Sequence, residues 1–273
     1  MYKLMFVDLD GTLLRDDKTV SQYDIEAIHL ARKSGVRVMI ATGRPTVGAD
    51  KYLADIGFQE GDFLISNNGA TILSLPDLEI KDLKTISVSD HKFIDTFLSE
   101  QGLEHYSFDT TYCLSERLHE YTEWEKRANG IEVKLVDFSK MEESVQLLKI
   151  MAFGSPPAIE AAMQAVPEKI RQNYAVVRSA DILLEFLHPS ATKGNAVKTI
   201  ANWLSVERED IICIGDSGND LDMLTYAGLG IAMGNAKPDV HAAADKITGS
   251  NEESGIAQAI NKFVLTRAGE PEA

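Results

Sequence analysis

The strongest constraint on the fold is a repeated unit: a short, unbroken apolar run that stops abruptly at a polar, glycine-containing cluster. Leu4-Met5-Phe6-Val7 stops at Asp8, Val36 to Ala41 at Thr42-Gly43, Phe63-Leu64-Ile65-Ser66 at Asn67-Asn68-Gly69, and Ile211 to Ile214 at Gly215-Asp216. Apolar runs without polar alternation suit strands covered on both faces, which implies a parallel sheet between two helical layers. The intervening segments have helical period. Ser21 is placed to cap a helix turning Ile25, Ile28, Leu30 and Ala31 inward and stopping at Gly35, and Pro45 suits the first turn of the next. The last third has the same texture: a helix over Lys193 to Trp203, the strand Ile211 to Ile214, a helix from about Leu221, a strand Gly230 to Met233 and a closing helix through Ile256 to Val264. From Thr266 onward the chain reads as a polar tail.

The middle differs. Thr85 to Val88, His105 to Phe108, Val133 to Val136, Leu147 to Ala152, Tyr174 to Arg178 and Ile182 to Leu187 read as strands, with helices near Asp90 to Gln101, Glu116 to Arg127 and Pro157 to Ala165. Several of these strands mix polar and apolar positions, the pattern of an antiparallel sheet with one covered face. The expected organisation is an α/β core built from residues 1–83 and 187–273, with an α+β domain, 84–186, inserted between its halves.

Composition limits the partners. With 27 basic against 42 acidic residues the formal charge is −15, and no Lys/Arg-rich run offsets it, so nucleic acid is not an expected partner. Cys113 and Cys213 lie a hundred residues apart, and Cys213 sits inside an apolar run, so neither a disulfide framework nor a zinc site is indicated. The apolar stretch before Asp8 is too short for a signal peptide and nothing approaches a membrane span, so a cytoplasmic protein without membrane contact is expected.

Four clusters carry chemistry, and each is expected at the carboxyl end of a parallel strand, where ligands of open α/β sheets bind. Asp8-Leu9-Asp10-Gly11-Thr12 offers two carboxylates and a tight turn, oxygen donors suited to Mg²⁺. Thr42-Gly43-Arg44 offers a hydroxyl and backbone N–H groups ahead of a helix, an anion site. Thr192-Lys193-Gly194 places a cation at a helix start, and Gly215-Asp216-Ser217-Gly218-Asn219-Asp220 adds two carboxylates and an amide. Singly, each is compatible with a capped helix or a solvated turn; their joint occurrence in this order indicates a site. Four carboxylates gathered together repel one another unless a cation is present.

Together these clusters resemble the four motifs of the haloacid dehalogenase superfamily. The interval of about a hundred residues between Asn68-Gly69-Ala70 and Lys193 is similar to the Cof-type branch, subclass IIB, closest to bacterial YidA-like sugar phosphatases. The resemblance spans about residues 3 to 265 and implies a Rossmann-like core with a C2B-type cap. It implies Mg²⁺-dependent phosphomonoester hydrolysis in which Asp8 takes up the phosphoryl group and Asp10 protonates the leaving oxygen, then deprotonates water. Leu9, Thr42, Gly43, Lys193 and Asn219 would hold the phosphoryl group. Asp8, Asp10 through its carbonyl, and Asp216 would hold Mg²⁺, with Asp220 behind them or acting through water, and Arg44 and Asn68 would face the substrate or the cap. Within the cap, the turns Asp109 to Tyr112 and Arg178 to Asp181 are candidate contacts to the sugar. The partner expected is a small-molecule phosphate ester; self-association leaves no mark in the sequence. Two other readings use the same residues: a phosphohexomutase, disfavoured by the acid-rich cap, and a non-catalytic phospho-sugar sensor, for which Asp10 and a lid would be superfluous.

Overall fold

The computed structural model describes residues 2–266, so the tail beyond Thr266 lies outside the described residues. In chain order its strands are β1 Leu4–Val7, β2 Arg37–Ile40, β3 Phe63–Ser66, β4 Thr71–Ser74, β5 Glu79–Leu83, β6 Glu104–Phe108, β7 Tyr112–Ser115, β8 Glu132–Leu135, β9 Lys149–Phe153, β10 Ala175–Ala180, β11 Leu183–Leu187, β12 Ile211–Gly215, β13 Leu229–Ala232 and β14 Lys246–Ile247.

The apolar runs form a parallel sheet in the order β14-β13-β12-β1-β2. Successive residues of each run face opposite layers. Leu4 and Phe6, with Ile211 and Cys213, pack under the helices Lys193–Trp203 and Leu221–Tyr226. Met5 and Val7, with Ile212 and Ile214, pack under Gln22–Lys33 and Gly255–Ile260. Both cysteines are buried and free.

Several local expectations change. Helix Gln22–Lys33 is capped by Ser21, but its buried face is Asp24, Ala27, Ile28 and Ala31; Leu30 is exposed. Asp24 can be inside because its carboxylate accepts the Ala257 N–H at 2.7 Å, tying this helix to the closing one. β3 lies beside the chain leaving β2, through the parallel bridge Ala41–Ile65 and the Thr42 N–H donating to Ile65 carbonyl at 2.9 Å, and on its other side pairs antiparallel with β4, itself paired with β5. Thr85 to Val88 is not a strand: Ile86 makes one bridge to Leu147, and Ser87 caps the helix Val88–Glu100 with a reciprocal Ser87–Asp90 capping box.

Residues 104–187 form a second, six-stranded sheet in the order β10-β11-β9-β6-β7-β8. It is antiparallel except for β7 and β8, which run parallel because the helix Glu120–Asn129 connects them. Its alternation is two-sided. On β9, Ile150 and Ala152 pack against the helices Val88–Glu100 and Pro156–Ala165, as do Leu184 and Phe186 on β11. Lys149, Met151, Leu183 and Glu185 occupy the other face, toward the ends of β1 and β12. Among the described residues no helix is long and apolar enough to cross a membrane.

This second sheet buries an unusual group. His91 is 1% exposed, stacked on Phe138 at 4.1 Å and 5.2 Å from His105, with neither ring nitrogen hydrogen-bonded. Burial, with the nearby His105 and Lys92, lowers its pKa to about 3, so the folded protein keeps it neutral. The unfolded chain takes up the proton near the ordinary histidine value of 6.5. Stability is therefore intact above that value and lost as the pH falls below it, by at most about 1.4 kcal/mol per pH unit. Replacing His91 by Leu is expected to flatten the acid side of the melting temperature against pH; an unchanged slope refutes the assignment.

Candidate active site

The site forms where the sheet order reverses. From β1 the chain proceeds outward through β2 on one side, and from β12 through β13 and β14 on the other, leaving a crevice beyond the carboxyl ends of β1 and β12. Asp8 follows β1 and Asp216 follows β12, so two adjacent parallel strands bring residues far apart in sequence together. The Asp8 loop folds back on itself, Leu9 carbonyl accepting the Thr12 and Leu14 N–H groups at 3.2 and 2.8 Å. Gly11 has φ +77°, and a Cβ there would lie 2.6 Å from Asp216 Oδ2, so only glycine allows the two loops to approach. Thr12 Oγ1 then donates to Asp216 Oδ1 at 2.8 Å, and Ser217 Oγ to Oδ2 at 3.0 Å.

Lys193 comes from elsewhere. The strand preceding it, β11, belongs to the antiparallel sheet, so the expectation that all four clusters follow parallel strands fails for this one. Thr192 caps the helix, accepting the Asn195 N–H, and directs the first-turn Lys193 inward. Its Nζ is fully buried, 2.6 Å from both Asp8 Oδ1 and Asp220 Oδ1. Asp220 Oδ2 accepts the Asp216 and Ser217 N–H groups at 3.0 Å each, so this carboxylate also shapes the loop presenting Asp216.

Oxygens of Asp8, Asp216 and Asp220 lie within 4.8 Å of one another. Burial pushes the Asp8 carboxyl well above its ordinary value, Asp220 and Asp216 adding to the effect against Lys193. Burial and Asp220 likewise raise Asp216 to about 6. An all-oxygen donor set with more negative charge than one lysine neutralises fits a hard divalent cation.

Asp10 faces another direction. Arg44 grips its carboxylate at both oxygens, at 2.6 and 2.7 Å, and Lys18 adds a third contact at 2.9 Å. Burial raises this carboxyl, but the two cations prevail and bring it down to about 2. Arg44 also donates to Ala128 carbonyl at 3.3 Å and Asn129 Oδ1 at 3.4 Å, so it spans both sheets' subassemblies. Gly48 lets that helix approach: a Cβ there would meet Asn129 Oδ1 at 2.5 Å. Buried Thr42 accepts the Arg44 N–H at 3.1 Å, and Asn219 donates to Asn68 Oδ1 at 2.9 Å.

A cavity of about 450 Å³ collects Asp8, Asp10, Thr42, Gly43, Arg44 and Asn219 from the core side. Its other wall is the second sheet and the helix Glu120–Asn129: Glu125, Asn129, Lys149, Ser179 and Glu185. The turn Asp109 to Tyr112 does not contribute. Asp109 binds the Thr111 and Tyr112 N–H groups and lines a separate depression. Of the Arg178 to Asp181 turn, Ser179 and Ala180 reach the cavity. Lys149 and Glu185 were missed by the motif reading, although a signal exists: each is a lone charge inside an apolar strand, Leu148-Lys149-Ile150 and Leu184-Glu185-Phe186.

Residues 5–260 match the haloacid dehalogenase-like hydrolase family, to which the chain belongs. The Bacillus subtilis protein YxeH is 34% identical, with 98% of this chain and 100% of that one covered. The B. subtilis protein named 5-amino-6-(5-phospho-D-ribitylamino)uracil phosphatase YcsE is 30% identical, with 96% of each covered. A solved haloacid dehalogenase-like hydrolase from B. subtilis superposes with a TM-score of 0.84 at 26% identity, covering 96% of this chain and all of that one.

A divalent cation is expected to raise the melting temperature. Because Asp216 titrates at about 6 when folded, above its ordinary value of 3.8, it costs stability that builds as the pH rises from 3.8 to about 6 and is fully present above that. The stabilisation by a divalent cation should therefore be greatest above pH 7 and shrink as the pH falls through 6. Asp216→Asn should melt higher than the parent without cation and respond less to it; an undiminished response would remove Asp216 from the cation site.

Proposed function

We propose that this haloacid dehalogenase-like hydrolase is a Mg²⁺-dependent phosphatase of small sugar or polyol phosphates, working through an aspartyl-phosphate on Asp8. The observation that carries this reading is the convergence on one crevice of Asp8, Lys193 and a three-carboxylate oxygen cluster, beside a cavity of about 450 Å³ with room for a small leaving group. Family membership supports phosphatase chemistry, and YcsE, whose name specifies a phosphate ester of a ribityl chain, supports the polyol class.

Asp8 is the nucleophile: Oδ1 is held by Lys193, which fixes the carboxylate and offsets repulsion from the incoming phosphoryl group. The Thr42 hydroxyl accepts from the Arg44 N–H, leaving its own proton to donate to a phosphoryl oxygen, with the Gly43 and Leu9 N–H groups and Asn219 beside it. The carboxylates of Asp8 and Asp216 and the Asp10 carbonyl would hold Mg²⁺, with Asp220 supporting them. When bound, the cation neutralises charge on nucleophile and substrate.

Asp10 is the acid/base residue. Its ionised state, clamped by Arg44 and Lys18, suits the second half-reaction, in which it takes a proton from the attacking water. To protonate the leaving oxygen in the first, it must take up a proton from solvent before the substrate is enclosed, which it would do if Arg44 turned from it toward the anionic substrate. Residues 84–186 act as the lid, excluding water and contacting the leaving group.

Phosphate release from a panel of sugar and polyol phosphates with Mg²⁺ tests the reading; no release from any ester, or release indifferent to EDTA, would sink it. Asp8→Asn should abolish turnover with the melting temperature retained. Asp10→Asn should slow both half-reactions, by roughly 10²-fold or more. Lys193→Ala should lose about 3–4 kcal/mol of transition-state stabilisation, read as a fall in kcat/KM.

A further inference from the structure

The cavity wall opposite the nucleophile contains a buried ion pair that the mechanism above does not use. Lys149 on β9 and Glu185 on β11 are 1% and 2% exposed, with Nζ 2.9 Å from Oε2. Burying such a pair costs desolvation that its attraction barely offsets, and apolar residues could fill the same strand positions. Every protein contact to the carboxylate falls on one oxygen: Oε2 accepts from Lys149 and, at 3.3 Å, from Asn68 Nδ2. Oε1 receives no donor from the described residues, yet Glu185 lines the cavity. Lys149 also donates to Gly43 carbonyl at 3.1 Å and lies over the Phe108 ring at 5.0 Å, and Asn68 in turn accepts from Asn219. The pair is thus fastened directly to Gly43 and Asn68 and lines the same cavity as Asp8.

We propose that Glu185, oriented by Lys149, selects the leaving group by accepting a hydrogen bond from a hydroxyl on the carbon next to the phosphoester and by repelling negative charge there. The inference rests on the phosphatase reading and narrows its substrates to neutral, vicinally hydroxylated phosphate esters. A carboxylate is an acceptor only, so its free oxygen calls for a ligand donor, and the ammonium beside it can donate to the same hydroxyl's oxygen. Behind the pair stands a second buried acid, Glu125, whose oxygens are taken by Tyr106 Oη at 2.9 Å and Asn129 Nδ2 at 2.6 Å. This wall therefore presents two carboxylates against one ammonium, a poor surface for a second phosphate or a carboxylate.

Three esters on one three-carbon skeleton separate these features: glycerol 1-phosphate, n-propyl phosphate, which lacks the hydroxyls, and 3-phosphoglycerate, which adds a carboxylate. The wild-type protein should prefer glycerol 1-phosphate over each of the others by about 10-fold or more in kcat/KM. In Glu185→Gln the preference over 3-phosphoglycerate should fall about 10-fold and that over n-propyl phosphate several-fold. Equal wild-type rates on glycerol 1-phosphate and n-propyl phosphate would overturn the inference while leaving the phosphatase reading intact, and they need no variant to fold. A Glu185→Gln protein slowed in equal proportion on all three would reduce the pair to a fastening between the sheets. Failure of the wild-type protein to release phosphate from these esters and from p-nitrophenyl phosphate would remove the phosphatase reading itself, and the inference with it.

Discussion

Lys193 Nζ lies 2.6 Å from both Asp8 and Asp220, out of reach of water, and the arrangement of the site depends on that desolvated charge. An ammonium without a partner costs several kcal/mol to bury, so two carboxylates must meet it. One of them, Asp220, uses its second oxygen to hold two backbone N–H groups of the loop that presents Asp216. The other, Asp8, ends β1. A single lysine on a helix start therefore fixes the relative positions of two strand ends and their loops. Its charge does not cancel theirs, and the residual repulsion, visible in the raised Asp8 and Asp216 carboxyls, tunes the cluster to a divalent cation.

The second sheet answers a different requirement. It must be apolar enough to fold and polar enough to line a cavity, and strand alternation satisfies both. Ile150, Ala152, Leu184 and Phe186 anchor the sheet to its own helices, while the intervening Lys149, Met151, Leu183 and Glu185 face the cavity. The two halves are joined by polar contacts at the cavity rim, Arg44 with Asn129 and Lys149 with Gly43, and by an apolar cluster in which Ala70 and Ala191 pack with Phe108 and Leu148. The polar contacts are exchangeable for water or ligand, unlike the apolar ones.

Arg44 links these two systems. It grips Asp10 and the helix Glu120–Asn129 at once, so the protonation state of Asp10 is tied to the position of the second sheet. The low pKa of Asp10 belongs to this clamped arrangement and would rise if the guanidinium turned toward an anionic substrate.

Much of this was legible in the chain itself. Unbroken apolar runs such as Leu4–Val7 and Ile211–Gly215 can be buried only as strands covered on both faces, and their abrupt polar ends marked where Asp8, Thr42 and Asp216 stand. Local chemistry likewise marked Ser21 as a cap. What failed was whatever depends on neighbours distant in sequence. Asp24 is buried where it meets Ala257 while Leu30 is exposed, β3 keeps a parallel bridge beside β2 but pairs antiparallel with β4, and the strand before Lys193 belongs to the other sheet. The sequence determined which residues carry charge and which segments must be buried, since both follow from residue type and local period. Only the tertiary structure decided which charges meet: the pairing of Lys149 with Glu185, and of Arg44 with Asp10 and Asn129, arises from strand order and from the packing of the second sheet on the first, and no local pattern encodes a contact between residues brought together by packing alone.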